Sequence, residues 1–146
     1  MFRFFVSSSA ACMAVALVAG CSPPRESVSL ATMEQGRTYT DWLYGKEYNK
    51  LFERMTPELQ RVFGSASELG RFAGKAVTRL GQERQTVDEV VGDASAERVY
   101  SRTSAFSDAP QPMMIQWTLT ENGSVSGLVV RPADSTTASD SSELAQ

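Results

Sequence analysis

Residues 113–131 read MMIQWTLTENGSVSGLVVR, two alternating segments on either side of an Asn-Gly pair. Apolar side chains recur at every second position from Met113 to Leu119, and a second extended segment runs from Val125 to Arg131. A period of two is typical of a half-buried strand, and Asn-Gly is the pair that a type I′ hairpin turn favours. The segment therefore predicts an antiparallel hairpin whose two loop residues are Asn122 and Gly123.

This loop also predicts the register of the hairpin. If two residues form the turn, Trp117 lies opposite Leu128 and Ile115 lies opposite Val130. A shift by one residue would turn every side chain to the other face of the sheet. The predicted register places the bulky side chains together on one face.

The segment before Gly81 has the period of helices rather than strands. Thr56-Pro57 and the capping-box pair Ser65 and Glu68 are helix start signals, and Gly81 is a stop signal. Helices followed by an antiparallel meander predict an α+β domain, with helices packed on one face of a curved sheet. The expected helices are Ser29–Leu43, Tyr48–Met55, Pro57–Phe63 and Ala66–Leu80, and the expected earlier strands are Thr86–Gly92 and Glu97–Phe106.

The N-terminus has the pattern of a secretory signal peptide. Arg3 precedes an apolar run, which ends in Val18-Ala19-Gly20-Cys21. This ending resembles a bacterial lipobox, where the thiol receives a diacylglyceryl group, signal peptidase cuts before it, and chains such as palmitate anchor the protein. The alternative is an uncleaved transmembrane helix, but the run is short and follows the serines at 7–9. We therefore predict export, lipidation of Cys21 and attachment to a membrane of the bacterial cell envelope.

The mature chain then divides into three zones. Residues 21–27 contain the lipidated cysteine and a Pro-containing tether, residues 28–132 have a globular composition, and residues 133–146 have the polar composition of a disordered tail. Cys12 leaves with residues 1–20, so no thiol stays free for a disulfide. The domain must therefore be stabilised by its apolar core.

The charge pattern argues against a nucleic-acid partner. After cleavage, 13 of the 14 basic residues remain beside 17 acidic residues, and the two signs are interspersed. Nucleic-acid affinity comes largely from clustered Lys and Arg. The partners we expect are therefore the membrane, through the lipid, and a small apolar ligand or another envelope protein.

Two groups of residues support a family resemblance over about residues 31–132. The run Trp42-x-x-Gly45-x-x-Tyr48-x-x-Leu51-Phe52-x-x-Met55-x-Pro57-x-Leu59 and the ending Trp117-Thr118-Leu119, Gly123, Gly127-Leu128-Val129-Val130-Arg131-Pro132 resemble the family called domain of unknown function 3887. This resemblance implies the nuclear transport factor 2-like (cystatin-like) cone, in which sheet and helices commonly enclose an apolar cavity. In that family the domain often precedes a serine-hydrolase domain in exported proteins. The implied lining here is Trp42, Tyr48, Phe52, Phe72, Tyr100, Met113 and Trp117, with Arg102 on the same alternation as Tyr100.

The chain lacks the common catalytic constellations. It contains no His, no Ser three residues before Lys46, Lys50 or Lys75, and no Gly-x-Ser-x-Gly elbow. The acidic group Asp88, Glu89, Asp93 and Glu97 has no calcium-loop spacing, so we expect it to form a solvated face. Gly70-x-x-x-Gly74 is expected to pack closely on the sheet. We therefore predict no cofactor, no metal and no hydrolase activity.

Two classes of function remain. The favoured one is a non-catalytic envelope module that binds a small apolar ligand or a partner protein. The alternative is a cavity enzyme of the isomerase or dehydratase type, in which a buried carboxylate, Asp88 or Asp108, acts beside Tyr100. An acid that points into a cavity beside a Tyr or Arg would favour the enzyme.

Overall fold

The structure, a computed structural model, describes residues 25–133 and has four helices followed by four strands. The strands pair in the order β1-β2-β3-β4, each antiparallel to its neighbour, so the sheet is an open meander with β1 and β4 at its edges. The predicted α+β class is confirmed, and the arrangement is consistent with the nuclear transport factor 2-like cone. The elements are α1 (Arg25–Tyr44), α2 (Tyr48–Glu53), α3 (Pro57–Phe63), α4 (Ala66–Leu80), β1 (Glu83–Ala94), β2 (Glu97–Phe106), β3 (Met113–Leu119) and β4 (Val125–Pro132).

The capping signals predict the later helices well. The Thr56 side chain accepts a hydrogen bond from the Leu59 amide and begins α3, and the Ser65 side chain accepts one from the Glu68 amide and begins α4. Gly81, with φ of 73°, ends α4 at the expected residue.

The first helix is longer than predicted. It begins at Arg25, so residues 25–27 are helical and do not belong to the tether. The predicted signal peptide, Cys21 and nearly all of the predicted disordered tail lie outside the described residues. No helix within residues 25–133 has the length and apolar character needed to cross a membrane.

The predicted hairpin register is confirmed, although its turn differs from the prediction. Trp117 pairs with Leu128, and Ile115 pairs with Val130. A type I′ turn would need a positive φ at Asn122, but only Gly123 has one, with φ of 81°. The loop has three residues, from 121 to 123, and a bulge beside Thr118 compensates for the extra residue.

The core is centred on Trp117, whose side chain is fully buried. The indole N–H donates to Thr40 Oγ1 at 2.9 Å, and the Tyr39 ring meets the indole edge to face. The Tyr39 hydroxyl in turn donates to the Gly123 carbonyl at 2.6 Å, which connects α1 to the hairpin loop. The other fully buried apolar side chains are those of Leu43, Leu51, Leu69, Tyr100, Ile115, Leu119 and Val125.

Glycines allow two close contacts between elements. A methyl group at Gly36 of α1 would overlap the Tyr100 ring of β2. Gly70 of α4 lies against the Tyr48 ring of α2 and Gly74 against its hydroxyl, so the expectation that these glycines pack on the sheet is wrong. Close packing between α4 and α2 sets the position of α4 above the sheet.

Candidate functional site

A cavity of about 320 Å³ lies between the end of α1, the helix α4 and the strands β3 and β4. Ten of its twelve lining residues are apolar, and the two others are Tyr44 and Arg79. This volume is near the lower end of the range for small-molecule sites. The lining residues are Leu43, Tyr44, Phe72, Ala73, Ala76, Val77, Arg79, Leu80, Met113, Ile115, Leu128 and Val130.

The cavity arises because α4 presents small side chains toward the hairpin. Ala73 and Ala76 line the cavity from α4, whereas Ile115 and Leu128 line it from the sheet. The main packing partner of α4 is α2, so the helix is positioned by its helical neighbours rather than by the strands. The two alanines do not fill the space that is left above β3 and β4.

Tyr44, the last residue of α1, is the most unusual polar group of the lining. Its ring packs against Phe106 with the ring centres 5.8 Å apart. Its hydroxyl is buried and has no hydrogen-bond partner among the described residues. Burial raises the pKa of this hydroxyl, and the nearby charge of Glu83 raises it further, so the group stays protonated. A buried hydroxyl without a partner is uncommon and is available to a bound molecule or to water.

Sequence reasoning missed Tyr44 and identified only part of the lining. Of the predicted residues, only Phe72 and Met113 line the cavity. Phe72 is 67 % exposed, and its ring contacts that of Phe63 in α3. No sequence signal identified Tyr44, since the apolar spacing of α1 is irregular.

The remaining predicted lining residues belong to other surroundings. Tyr100 and Trp117 are fully buried in the core, where their rings fill the space under α1. The side chains of Trp42, Tyr48 and Phe52 are half-buried and pack against that core, away from the cavity. Arg102 is held in an ion-pair cluster. The large aromatic side chains fill the centre of the fold, and the cavity forms beside the small ones.

The ion-pair cluster joins α1 to the first two strands. Arg102 of β2 contacts Glu83 at 2.5 Å and Glu89 at 3.3 Å, both from β1. Arg37 of α1 reaches Glu89 at 2.6 Å, and the Tyr100 hydroxyl donates a short hydrogen bond to the same carboxylate. Two guanidinium groups and one phenol thus share the Glu89 carboxylate.

The hydrogen bonds and ion pairs of this cluster keep its carboxylate and guanidinium groups ionised. The hydrogen bond from Arg37 lowers the pKa of Glu89 to about 2, although burial opposes the change, and the Tyr100 hydrogen bond helps to lower it. Burial raises the pKa of Tyr100 to about 12, and its hydrogen bond to Glu89 adds to this. Burial alone would lower the pKa of Arg102, but its hydrogen bonds, first to Glu83, raise it. A carboxylate that is held ionised in this way is a weak base.

The predicted acids do not occupy the expected positions. Asp88 and Asp108 are exposed, and Asp88 lies opposite Thr103 on the sheet face that points away from Tyr100. The carboxylate beside Tyr100 is that of Glu89, so the expectation that Glu89 lies on a solvated face is wrong. Asp93 is exposed as expected, and Glu97 is half-buried.

Neither site brings together the ligands of a metal ion. Within residues 25–133, no three His, Cys, Asp or Glu side chains converge as a possible metal site. The described part of the cavity lining contains no carboxylate.

Comparisons with protein-family models, with curated proteins and with solved structures give no match to this chain.

Proposed function

We propose that this protein is a non-catalytic envelope lipoprotein that binds a small apolar molecule in the cavity between α4 and the β3-β4 hairpin. The observation that carries the proposal is the cavity itself, apolar on nearly all sides and containing one buried, unpaired hydroxyl on Tyr44. Apolar walls with few polar groups are typical of small-molecule sites. Burial of a hydrophobic ligand contributes about 25 cal/mol per Å² of apolar surface.

The arrangement of the acids supports binding rather than catalysis. A cavity enzyme needs a base within hydrogen-bond reach of its substrate. The polar lining residues are Tyr44, whose raised pKa keeps it protonated, and Arg79, whose guanidinium donates hydrogen bonds and accepts none. The partly buried carboxylates of Glu83 and Glu89 are instead engaged by Arg102, and Glu89 also by Arg37.

The proposed anchor is the lipid on Cys21, and its support is the lipobox sequence. Four residue steps separate Cys21 from Arg25, where α1 begins. An extended chain of that length spans at most about 14 Å. A lipidated Cys21 would therefore hold the start of α1 close to the membrane surface, together with the domain that contains the cavity.

Native mass spectrometry of the purified protein, with medium-chain alcohols added, tests the binding proposal. We expect one bound molecule per chain, and we expect Ala76→Phe to abolish binding because the new ring fills the cavity. Val62→Phe is the matched control, since Val62 lies on α3 and is 77 % exposed. If no alcohol binds the wild type, or if Ala76→Phe binds as well as the wild type, the proposal is wrong.

A further inference from the structure

Arg79 is the single charged residue of the cavity lining in the described part of the chain. It lies in the last turn of α4, is exposed, and makes no ion pair within residues 25–133. Arg37 and Arg102, in contrast, are engaged by carboxylates of β1. An unpaired guanidinium at the edge of an apolar cavity provides a positive charge and several N–H donors to a ligand that enters there.

From this arrangement we infer that the bound molecule is a single-chain amphiphile with an anionic head, a carboxylate or a phosphate. The inference rests on the proposed function. The acyl tail occupies the space beside Ala73 and Ala76, and the head contacts Arg79 where the cavity opens to solvent. Guanidinium groups match the geometry of both carboxylate and phosphate oxygens.

The charges of α4 favour the same ligand. Its one acidic residue, Glu68, lies in the first turn and is paired with Arg71. Lys75 precedes Arg79 by four residues, so both lie on one side of the helix. A shallow surface depression whose basic lining residues are Arg71, Lys75 and Arg79 adjoins the cavity, because Arg79 belongs to both. The cavity edge on this side is therefore cationic.

The size of the cavity limits the number of chains. A volume of about 320 Å³ is at the small end for ligand sites. It suits one medium-length chain better than the two chains of a bilayer phospholipid. The exposed ring of Phe72 and the half-buried side chains of Leu128 and Val130 extend the apolar contact toward solvent.

The test compares three probes that share one tail: dodecanoate, dodecyl phosphate and dodecanol. The two anionic probes are titrated below their critical micelle concentrations, and dodecanol below its solubility limit. The purified, processed protein is kept at low ionic strength, because salt screens exposed charges. We expect at least one anionic probe to bind about tenfold more tightly than the alcohol, as one charged hydrogen bond allows. The carboxylate and phosphate probes show which head is preferred.

The variants Arg79→Gln and Arg61→Gln show whether Arg79 is responsible for the preference. Arg79→Gln should remove the preference for the anionic probe and leave dodecanol binding unchanged. Arg61→Gln is the matched control and should retain the preference, because Arg61 is an exposed arginine of α3 that lines neither the cavity nor the adjoining depression. Equal affinity for all three probes, or a preference that survives Arg79→Gln, overturns this inference but leaves the proposed function intact. If none of the three binds, both are wrong.

Discussion

At the scale of single residues, Trp117 connects sequence, packing and stability most directly. Its ring is fully buried, and its N–H pairs with Thr40. Truncation would remove the largest buried side chain and leave the Thr40 hydroxyl without its donor. We expect Trp117→Ala to lower the free energy of unfolding by about 3 to 5 kcal/mol.

Denaturant unfolding measured by circular dichroism checks this expectation. Val62→Ala, at an exposed position of α3, is the control and should change stability by less than about 0.5 kcal/mol. A loss below about 1 kcal/mol for Trp117→Ala would contradict the buried position of the ring.

The residues of the cavity show where sequence reasoning reaches its limit. Trp117 and Tyr100 were identified as important because alternation reveals which strand residues point inward, but alternation does not distinguish a filled core from a lined cavity. That distinction depends on the volume of the residues opposite, here Ala73 and Ala76. Tyr44 was missed for a related reason, since its importance comes from a hydroxyl that finds no partner in three dimensions.

At the scale of secondary-structure elements, the sequence predicted correctly the features that depend on neighbouring residues, such as the ends of helices. Thr56-Pro57, Ser65 and Gly81 place the ends of α3 and α4 correctly, because caps act within one helical turn. The β3-β4 register was correct although the turn type was wrong, because a bulge compensates for the longer loop. Burial of one sheet face therefore fixes the register more strongly than the turn does.

Strand β1 departs from the strict alternation of side chains that the sequence predicted for it. Register shifts occur between Glu83 and Gln85 and between Thr86 and Asp88, so the alternation is interrupted twice. The two shifts offset each other, so Glu83 and Glu89 still lie on one face, and both reach Arg102 on the helix side of the sheet. In the sequence, Glu89 is indistinguishable from its solvated neighbours. Its partners, Arg37 of α1 and Tyr100 and Arg102 of β2, meet it only in the folded chain.

This connection between α1 and β1 predicts how stability depends on pH. The folded state lowers the pKa of Glu89 from 4.5 to about 2. A group whose pKa is lower in the folded state stabilises it above the unfolded-state pKa. That contribution is lost as the pH falls from about 4.5 to about 2. We expect Glu89→Gln to be less stable than the wild type at neutral pH, and to lose less stability in that acidic range.

Urea unfolding at a series of pH values between 7 and about 2 measures the effect. Asp88→Asn is the matched control, because Asp88 is the adjacent residue and lies on the opposite, exposed face of the sheet. The pH dependence of this variant should follow that of the wild type. An identical acid dependence in Glu89→Gln and wild type would show that the ion pair contributes nothing to folding.

At the scale of the whole molecule, the ion-pair cluster and the cavity lie over different strands of the sheet. Ion pairs and the buried Tyr100 join α1 to β1 and β2, whereas α4 leaves a cavity above β3 and β4. The anchor that we propose at Cys21 precedes α1 in the chain. The cavity lies at the other end of that helix, where Leu43 and Tyr44 line it.

The anchor itself is tested by metabolic labelling with an alkyne analogue of palmitate. The wild type should take up the label, because the lipobox thiol is the acceptor of the acyl-bearing group. Cys21→Ala should lose the label and remain as a precursor that retains residues 1–20. Cys12→Ala is the matched control, since Cys12 lies within the predicted signal peptide and leaves with it. An unlabelled wild-type protein in the membrane fraction would mean instead that its apolar N-terminal run stays in the bilayer uncleaved.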